Sequence, residues 1–391
     1  MKFELVIDSR PTEVVIALLK EGRLIELHKE KHDNNYSVGD IYLGKIKKIV
    51  PGLNAAFVGV GHEKDGFLHY LDLGSQVNSF KKFTDKTREK KLNTASLKNF
   101  RKEKDTLKEG KIQDVVKSGD HLMVQVSKEP ISSKGPRLSA ELSFAGRYMV
   151  MIPFSDRVSI SQKIKSSEEK SRLKKLIHSI KPKGFGVIIR TVAENKKVAE
   201  LDTDMKNLYK KWQIIFKKLK TANLNERIHG EMNRSSVILR DLLNSEFSKI
   251  HVNSPEIHAE LKEYLSRISP DQEKIVKLYK GEIPIFQKMN ITQQVKSSFG
   301  KTASMKSGAY LVIEHTEALH VIDVNSGKKV DSKKNQEANA LAVNQISVEE
   351  VARQLRLRDM GGIIVVDFID LKNAKNNKLI YDSMIEAMKT D

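Results

Sequence analysis

The segment Gly361–Asp370, GGIIVVDFID, constrains the architecture more than any other stretch. Its continuous apolar run is of the kind that lies in the middle of a sheet covered on both faces. It ends at Asp367, with Asp370 just beyond. Open α/β sheets hold ligands outside the carboxyl ends of their strands, so an acid at that point is a candidate for chemistry.

A second acid stands in LHVIDVNSG. Strand alternation there puts Leu319, Val321, Asp323 and Asn325 on one face, so a carboxylate occupies a position where an apolar residue is favoured. If the two strands are neighbours, Asp323 and Asp367 share a hard divalent cation. Mg²⁺ suits such a site, because it keeps several waters and is held by one or two carboxylates. Asn325 then orients Asp323 by hydrogen bonding. The competing reading makes both acids strand terminators that bond to nearby backbone, a frequent use of Asp before Asn, Ser or Gly. Between the acids, VEEVARQLRLRD reads as a helix with an apolar stripe of Val348, Val351, Ala352 and Leu355. Arg353, Arg356 and Arg358 project elsewhere, either toward phosphate or onto a solvated, ion-paired face.

A chain of 391 residues exceeds one hydrophobic core, so two or more domains are expected. Its net charge of +19 suits a polyanionic partner, nucleic acid before membrane. Cys is absent, which excludes disulfides, Cys-ligated zinc, iron–sulfur clusters and thiol nucleophiles. No apolar run approaches the length of a membrane span, and the start, MKFELVIDSR, does not read as a secretion signal. A soluble cytoplasmic protein is expected.

Strand-like segments KFELVID, VVIALLK and RLIELHKE open the chain, the last two around the turn signal Glu21-Gly22. From Gly39 to about Lys128, short glycine-punctuated strands predict a small antiparallel barrel of OB type. Within it, Ser75–Lys111 is rich in lysine with little apolar periodicity, and reads as a long, mobile, basic insertion. Residues 137–222 read as a small α+β unit. An α/β rhythm over 233–285 could complete the N-terminal sheet. From 286 the order is helix, hairpin, long helix near 336–358, buried strand and last helix.

VIDVNSG followed by EVARQLRLRDMGGIIVVDFIDL closely resembles the catalytic signature of the ribonuclease E/G family. YLGKIKKIVPGLNAAFVGVGHEKDGFLHY resembles that family's OB domain, and GFGVIIRTVAE its sensor for the RNA 5′ end. The resemblance implies a multidomain α+β protein. A ribonuclease H-like scaffold (1–36 and 226–285) would bracket the OB-fold (37–130, insertion 75–111) and the 5′-sensor (131–225). A deoxyribonuclease I-like catalytic domain (286–391) would follow. It also implies roles for residues. Asp323 and Asp367 would bind catalytic Mg²⁺ with Asn325 in support. Phe57 and Phe67 would stack on bases beside the basic contact Lys128, although either Phe could equally be barrel core. Arg190 and Thr191 would grip a 5′-monophosphate.

The activity so implied is Mg²⁺-dependent endonucleolytic cleavage of single-stranded RNA, in ribosomal RNA processing and messenger decay, leaving a 5′-phosphate. Two departures from the family pattern bear on this. The sequence after Ser326, KKVDSKKNQEANALAVNQIS, is looser than the family's usual run. The family's two-cysteine zinc link and small C-terminal domain are missing, and the chain stops at Asp391 inside an unfinished helical pattern. That points to a truncated form or the core of a longer protein. Homodimerisation is therefore expected of the full-length protein and is open for this chain. The alternatives are a non-catalytic RNA-binding fragment and a metal-dependent deoxyribonuclease.

Overall fold

The computed structural model describes residues 2–31, 35–243, 246–305, 308–327 and 336–389. Residues 328–335, the start of the looser stretch after Ser326, and the chain end at 390–391 lie outside it. The chain forms two compact units, Met1–His32 with Arg234–Asp391, and Asp33–Asn233.

The first unit opens with antiparallel strands β1 (Phe3–Ser9), β2 (Glu13–Lys20) and β3 (Arg23–Lys31). Glu21 and Gly22 join β2 to β3 with φ of +52° and +77°, the paired positive values that a two-residue hairpin turn demands.

In the second unit, strands β4 (Ile41–Val50), β5 (Ala55–Gly59) and β6 (Gly66–His69) precede helix α1 (Val77–Arg88), and β7 (His121–Lys128) and β8 (Arg137–Ser139) follow it. The ladder runs β4-β5-β6-β8-β7 and closes from β7 back to β4, giving the expected OB-like barrel. Ile46, Ala56, Val58, Leu68, Leu122, Val124 and Leu138 fill it.

The insertion is not the solvated loop its composition suggests. Val77, Phe80, Phe83, Thr84 and Thr87 lie along one buried stripe of α1, and Ala95 and Leu97 are buried beyond it. Phe80, Phe83, Ala95 and Leu97 share a core with Phe154, Phe185 and Trp212, Val77 packs into the barrel core, and the Trp212 indole N–H donates to the Ala95 carbonyl at 2.8 Å. Two threonines in the stripe and the surrounding lysines mask its helical period. The rest of this unit is β9 (Phe144–Ala145), β10 (Met149–Pro153), β11 (Val158–Ile160), α2 (Ser167–Ile180), β12 (Phe185–Ile189), α3 (Val198–Leu219) and β13 (Arg227–His229). The sheet β11-β12-β10-β9 packs with α2 and α3 around the same core.

The chain then returns to the first unit through α4 (Arg234–Leu242), β14 (Phe247–Val252), α5 (Pro255–Ile268) and β15 (Val276–Leu278). Strand β14 adds parallel to β1, giving the sheet β15-β14-β1-β2-β3. After the short helices α6 (Ile285–Lys288) and α7 (Ile291–Ser298) come β16 (Thr302–Ser304), β17 (Tyr310–His315), β18 (Leu319–Asn325), α8 (Gln336–Leu357), β19 (Ile363–Asp367) and α9 (Ala374–Met388). They form the sheet β16-β17-β18-β19, in which β18 and β19 are parallel and α8 is their crossover.

Two expectations need correction here. Strand β19 is an edge strand, not a central one covered on both faces: Ile363 and Val365 are 64% and 46% exposed, and only Ile364 and Val366 pack into the helix-covered core. Helix α8 is buried well beyond a single apolar stripe. Glu350 is 1% exposed, and Arg353 donates to it and, at 2.7 Å, to the Leu24 carbonyl of β3. Arg23 of β3 also pairs with Glu350. Arg358 donates to the Gln354 side chain and to the Ser298 and Gly300 carbonyls. Arg353 and Arg358 are thus structural ties. Among the described residues, no helix is long and apolar enough to cross a membrane.

Candidate active site

Asp323 and Asp367 are register partners on the adjacent parallel strands β18 and β19. Residues so paired project to the same face from backbones about 4.8 Å apart, so their carboxylates can converge on one ion. Both are solvent-exposed, Asp367 as the last residue of β19 and Asp323 two residues before the end of β18. Asn325 Nδ2 donates to Asp323 Oδ2 at 2.7 Å, the orienting bond anticipated for it. Asp323 lies within its strand and takes this bond from a side chain, unlike a residue closing a turn through backbone. The open sheet face, two hard oxygen donors in register and an amide that fixes one of them fit a Mg²⁺ ion that keeps most of its water. Among the described residues, no third acid or imidazole joins them. Asp370 is exposed beyond the strand end.

The supports of this site went unnoticed in the sequence. Asn344, fully buried on α8, clamps Ile369 just past Asp367: its amide donates to the Ile369 carbonyl at 2.8 Å and accepts the Ile369 N–H at 3.0 Å. Glu337 at the start of α8 accepts the N–H groups of Lys372 and Asn373 and the Asn376 amide. These bonds to the charged form hold its carboxyl below the ordinary range. Two residues past Asn325, Gly327 has φ +65°, and a Cβ there would stand 2.1 Å from the Gly308 carbonyl, so no other residue fits. The available signal was a polar residue, Asn344, inside the apolar stripe of a helix.

On the barrel, register joins the anticipated residues into one row. Phe57 of β5 pairs with Phe67 of β6, Phe67 with Arg137 of β8, Arg137 with Lys128 of β7, and Phe57 on its other side with Lys48 of β4. The two rings are 6.0 Å apart at 69°. Both are half-buried on the outer face, while Val58 and Leu68 beside them fill the interior, so the core reading of either Phe fails. Arg137, held at 2.9 Å by Asp72, and Lys48 are members that sequence reasoning missed.

Arg190 follows β12, and its guanidinium donates to the Gly146 carbonyl at 2.9 Å. The Thr191 hydroxyl meets that of Ser161 at 2.9 Å. The Gly146 loop is itself anchored by Asp204 of α3, whose carboxylate accepts the N–H groups of Arg147 and Tyr148 at 3.2 and 2.8 Å. Burial pushes the Asp204 carboxyl up despite these bonds. A Cβ on Gly146 would stand 2.5 Å from that carboxylate, which explains the glycine.

Residues 143–391 match the ribonuclease E/G family. Ribonuclease G of Haemophilus influenzae is 32% identical over 388 residues, covering 99% of this chain and 75% of that protein. Ribonuclease G of Escherichia coli K12 is 32% identical over 391 residues, covering the whole chain and 76% of the relative. Ribonuclease E of H. influenzae is 33% identical over 395 residues but is covered to only 40%.

Proposed function

Because this chain belongs to the ribonuclease E/G family, we propose that it is a Mg²⁺-dependent endoribonuclease that cuts single-stranded RNA and is stimulated by a 5′-monophosphate. The observation that carries the reading is the register pairing of Asp323 with Asp367, with Asn325 bonded to the former. On this reading the sheet β15-β14-β1-β2-β3 belongs to a ribonuclease H-like scaffold, and the β16–β19 sheet with α8 and α9 to a deoxyribonuclease I-like domain.

Asp323 and Asp367 would hold the ion, and Asn325, bonded to Asp323 Oδ2, would fix the orientation of that carboxylate. When bound, Mg²⁺ lowers the pKa of a coordinated water and offsets charge on the phosphate. The reaction is in-line attack of water on phosphorus with departure of the 3′-oxygen, which leaves the phosphate on the downstream 5′ end. Phe57 and Phe67 offer stacking platforms, a sequence-tolerant contact worth ~1–3 kcal/mol per base that selects unpaired RNA. Lys48, Arg137 and Lys128 meet the phosphates between. Arg190 and Thr191 grip a terminal monophosphate, with Gly146 and Ser161 fixing their directions. Ribosomal precursors and messenger RNA in the cytoplasm are the proposed substrates, and a homodimer is the proposed assembly.

The test is cleavage of a 5′-monophosphorylated single-stranded RNA with Mg²⁺, compared with EDTA, with Asp323→Asn and Asp367→Asn, and with the same sequence as DNA. Metal-dependent cutting of RNA alone, abolished by either substitution, is expected. Tight RNA binding without metal-dependent cutting would overturn the catalytic reading, and preference for DNA would overturn the substrate. Arg190→Ala should slow cleavage of monophosphorylated RNA more than of triphosphorylated RNA. Equal losses remove Arg190 from 5′ sensing.

A further inference from the structure

The hairpin that delivers Asp323 carries a second constellation at its opposite end. His315 closes β17 and His320 lies at the start of β18; they are direct cross-strand partners. Their rings stand at 84° with centroids 4.8 Å apart, and the two Nδ1 atoms face each other at 2.7 Å. The four-residue turn between them is fixed by its own bonds: the Thr316 hydroxyl donates to the Leu319 carbonyl at 2.8 Å and accepts the Leu319 N–H at 3.1 Å. Behind the pair on the same face, Ile313 and Ile322 are register partners buried in the core, so the strands cannot slide to separate the histidines.

We propose that His315 and His320 form a binding site for a divalent late transition metal. Imidazole is the usual protein ligand for such ions. Two nitrogens each about 2.05 Å from one ion stand about 2.9 Å apart when cis in a square-planar or octahedral shell, and about 3.3 Å apart in a tetrahedron. The two nitrogens, held 2.7 Å apart by their hydrogen bond, need part by only a few tenths of an ångström to take the cis arrangement, the geometry of Cu²⁺ and Ni²⁺. Without an ion, one ring donates its Nδ1 proton to the other. With an ion, both Nδ1 atoms coordinate and each ring carries its proton on Nε2, so one ring changes tautomer and both turn until their lone pairs converge on the ion. Among the described residues, no third His, Asp or Glu completes a cluster, so water fills the remaining positions on this exposed rim. The Mg²⁺ site offers carboxylate oxygens and this one offers nitrogens, so the two discriminate between hard and softer cations. The proposal does not depend on RNA hydrolysis.

Tag-free protein in Mg²⁺ buffer, titrated with NiCl₂ by isothermal calorimetry, should bind a single ion per chain. Binding should be lost in His320→Ala and in His315→Ala, and kept in His178→Ala, which removes an exposed histidine on α2. With CuSO₄, electron paramagnetic resonance should show coupling to two imidazole nitrogens. Saturable binding that survives both single substitutions, coupling to fewer than two nitrogens, or no binding to the unmodified chain overturns the proposal. Circular dichroism checks folding; should His320→Ala unfold, His315→Ala at the exposed strand end carries the test.

Discussion

If the insertion is part of the core, then Phe83→Ala must be among the most damaging single changes in its unit. Phe83 is fully buried, with the rings of Trp212, Phe154, Phe100 and Phe216 at centroid distances of 5.0, 5.6, 5.7 and 5.9 Å. Removing a buried Phe costs ~3–5 kcal/mol through lost transfer free energy and the cavity left behind. The ring contacts, each worth ~0.5–1.5 kcal/mol beyond area, favour the upper half of that range. A change in a solvated loop would stay within ~0.5 kcal/mol. Trp212 is the chain's single tryptophan and lies in the same core, so its fluorescence reports unfolding of this unit during a urea titration. With a slope of about 2 kcal/mol per molar, a loss of about 4 kcal/mol moves the midpoint down by about 2 M. Lys98→Ala, an exposed change in the same insertion, should leave it in place. A Phe83→Ala shift below about 0.5 M would refute the packing argument.

Arg353→Ala leaves buried Glu350 with Arg23 and the Gln354 amide as its partners and should cost about 3 kcal/mol by denaturant unfolding, the low end for breaking a buried pair, whereas replacing both Arg353 and Glu350 by Met should recover much of that; equal losses would mean the charge is not the issue. Phe67→Ala should weaken binding of a labelled single-stranded oligoribonucleotide about 5- to 150-fold by anisotropy, the equivalent of ~1–3 kcal/mol. Arg137→Ala should instead lower the salt-dependence slope by about one; an unchanged slope would remove it from the phosphate contacts. Burial holds the imidazoles of His229, His251 and His121 below their ordinary 6.5, with the Arg88 charge also acting on His121. The unfolded chain therefore takes up these protons first, so the stability they contribute is complete above pH 6.5 and is lost as pH falls toward the folded-state values. His229→Gln should flatten that decline in urea midpoints between pH 7.5 and 5; an unaltered slope would count against it.

The acid pair was legible because two local signals agreed: an alternating strand with a carboxylate on its face, and an apolar run ending in one. The barrel was legible for a similar reason, since glycine-punctuated short strands have few other uses. What stayed hidden depended on partners distant in sequence. The exposure of Ile363 and Val365 cannot be read from their type, because a β-branched run looks the same in a central strand and at an edge. Arg353 looked like a surface cation because its partners are Glu350 one turn away and a carbonyl of β3, more than three hundred positions earlier. The insertion misled for compositional reasons: lysines pair outward with Glu103, Asp120 and Asp156 while Phe80 and Phe83 point in. A hydropathy average over such a segment cancels.

Helix α8 gives the candidate site its rigidity, and the reason lies in which groups it ties together. On one side Glu350 and Arg353 lock it to β3, and Gln294 of α7 bonds both Leu24 and Gly22 in the same hairpin. On another, Asn344 and Glu337 hold the backbone that follows Asp367. Its apolar residues Val343, Val351 and Leu355 form the floor beneath Ile322 and Val324, the neighbours of Asp323. Both acids are thus referenced to one helix, and that helix is referenced to the first strands of the chain. A pair of exposed carboxylates repel each other in the absence of a cation. They stay in register here because β18 is bonded along its other side to β17, and the backbone just past Asp367 is bonded to Asn344 of α8.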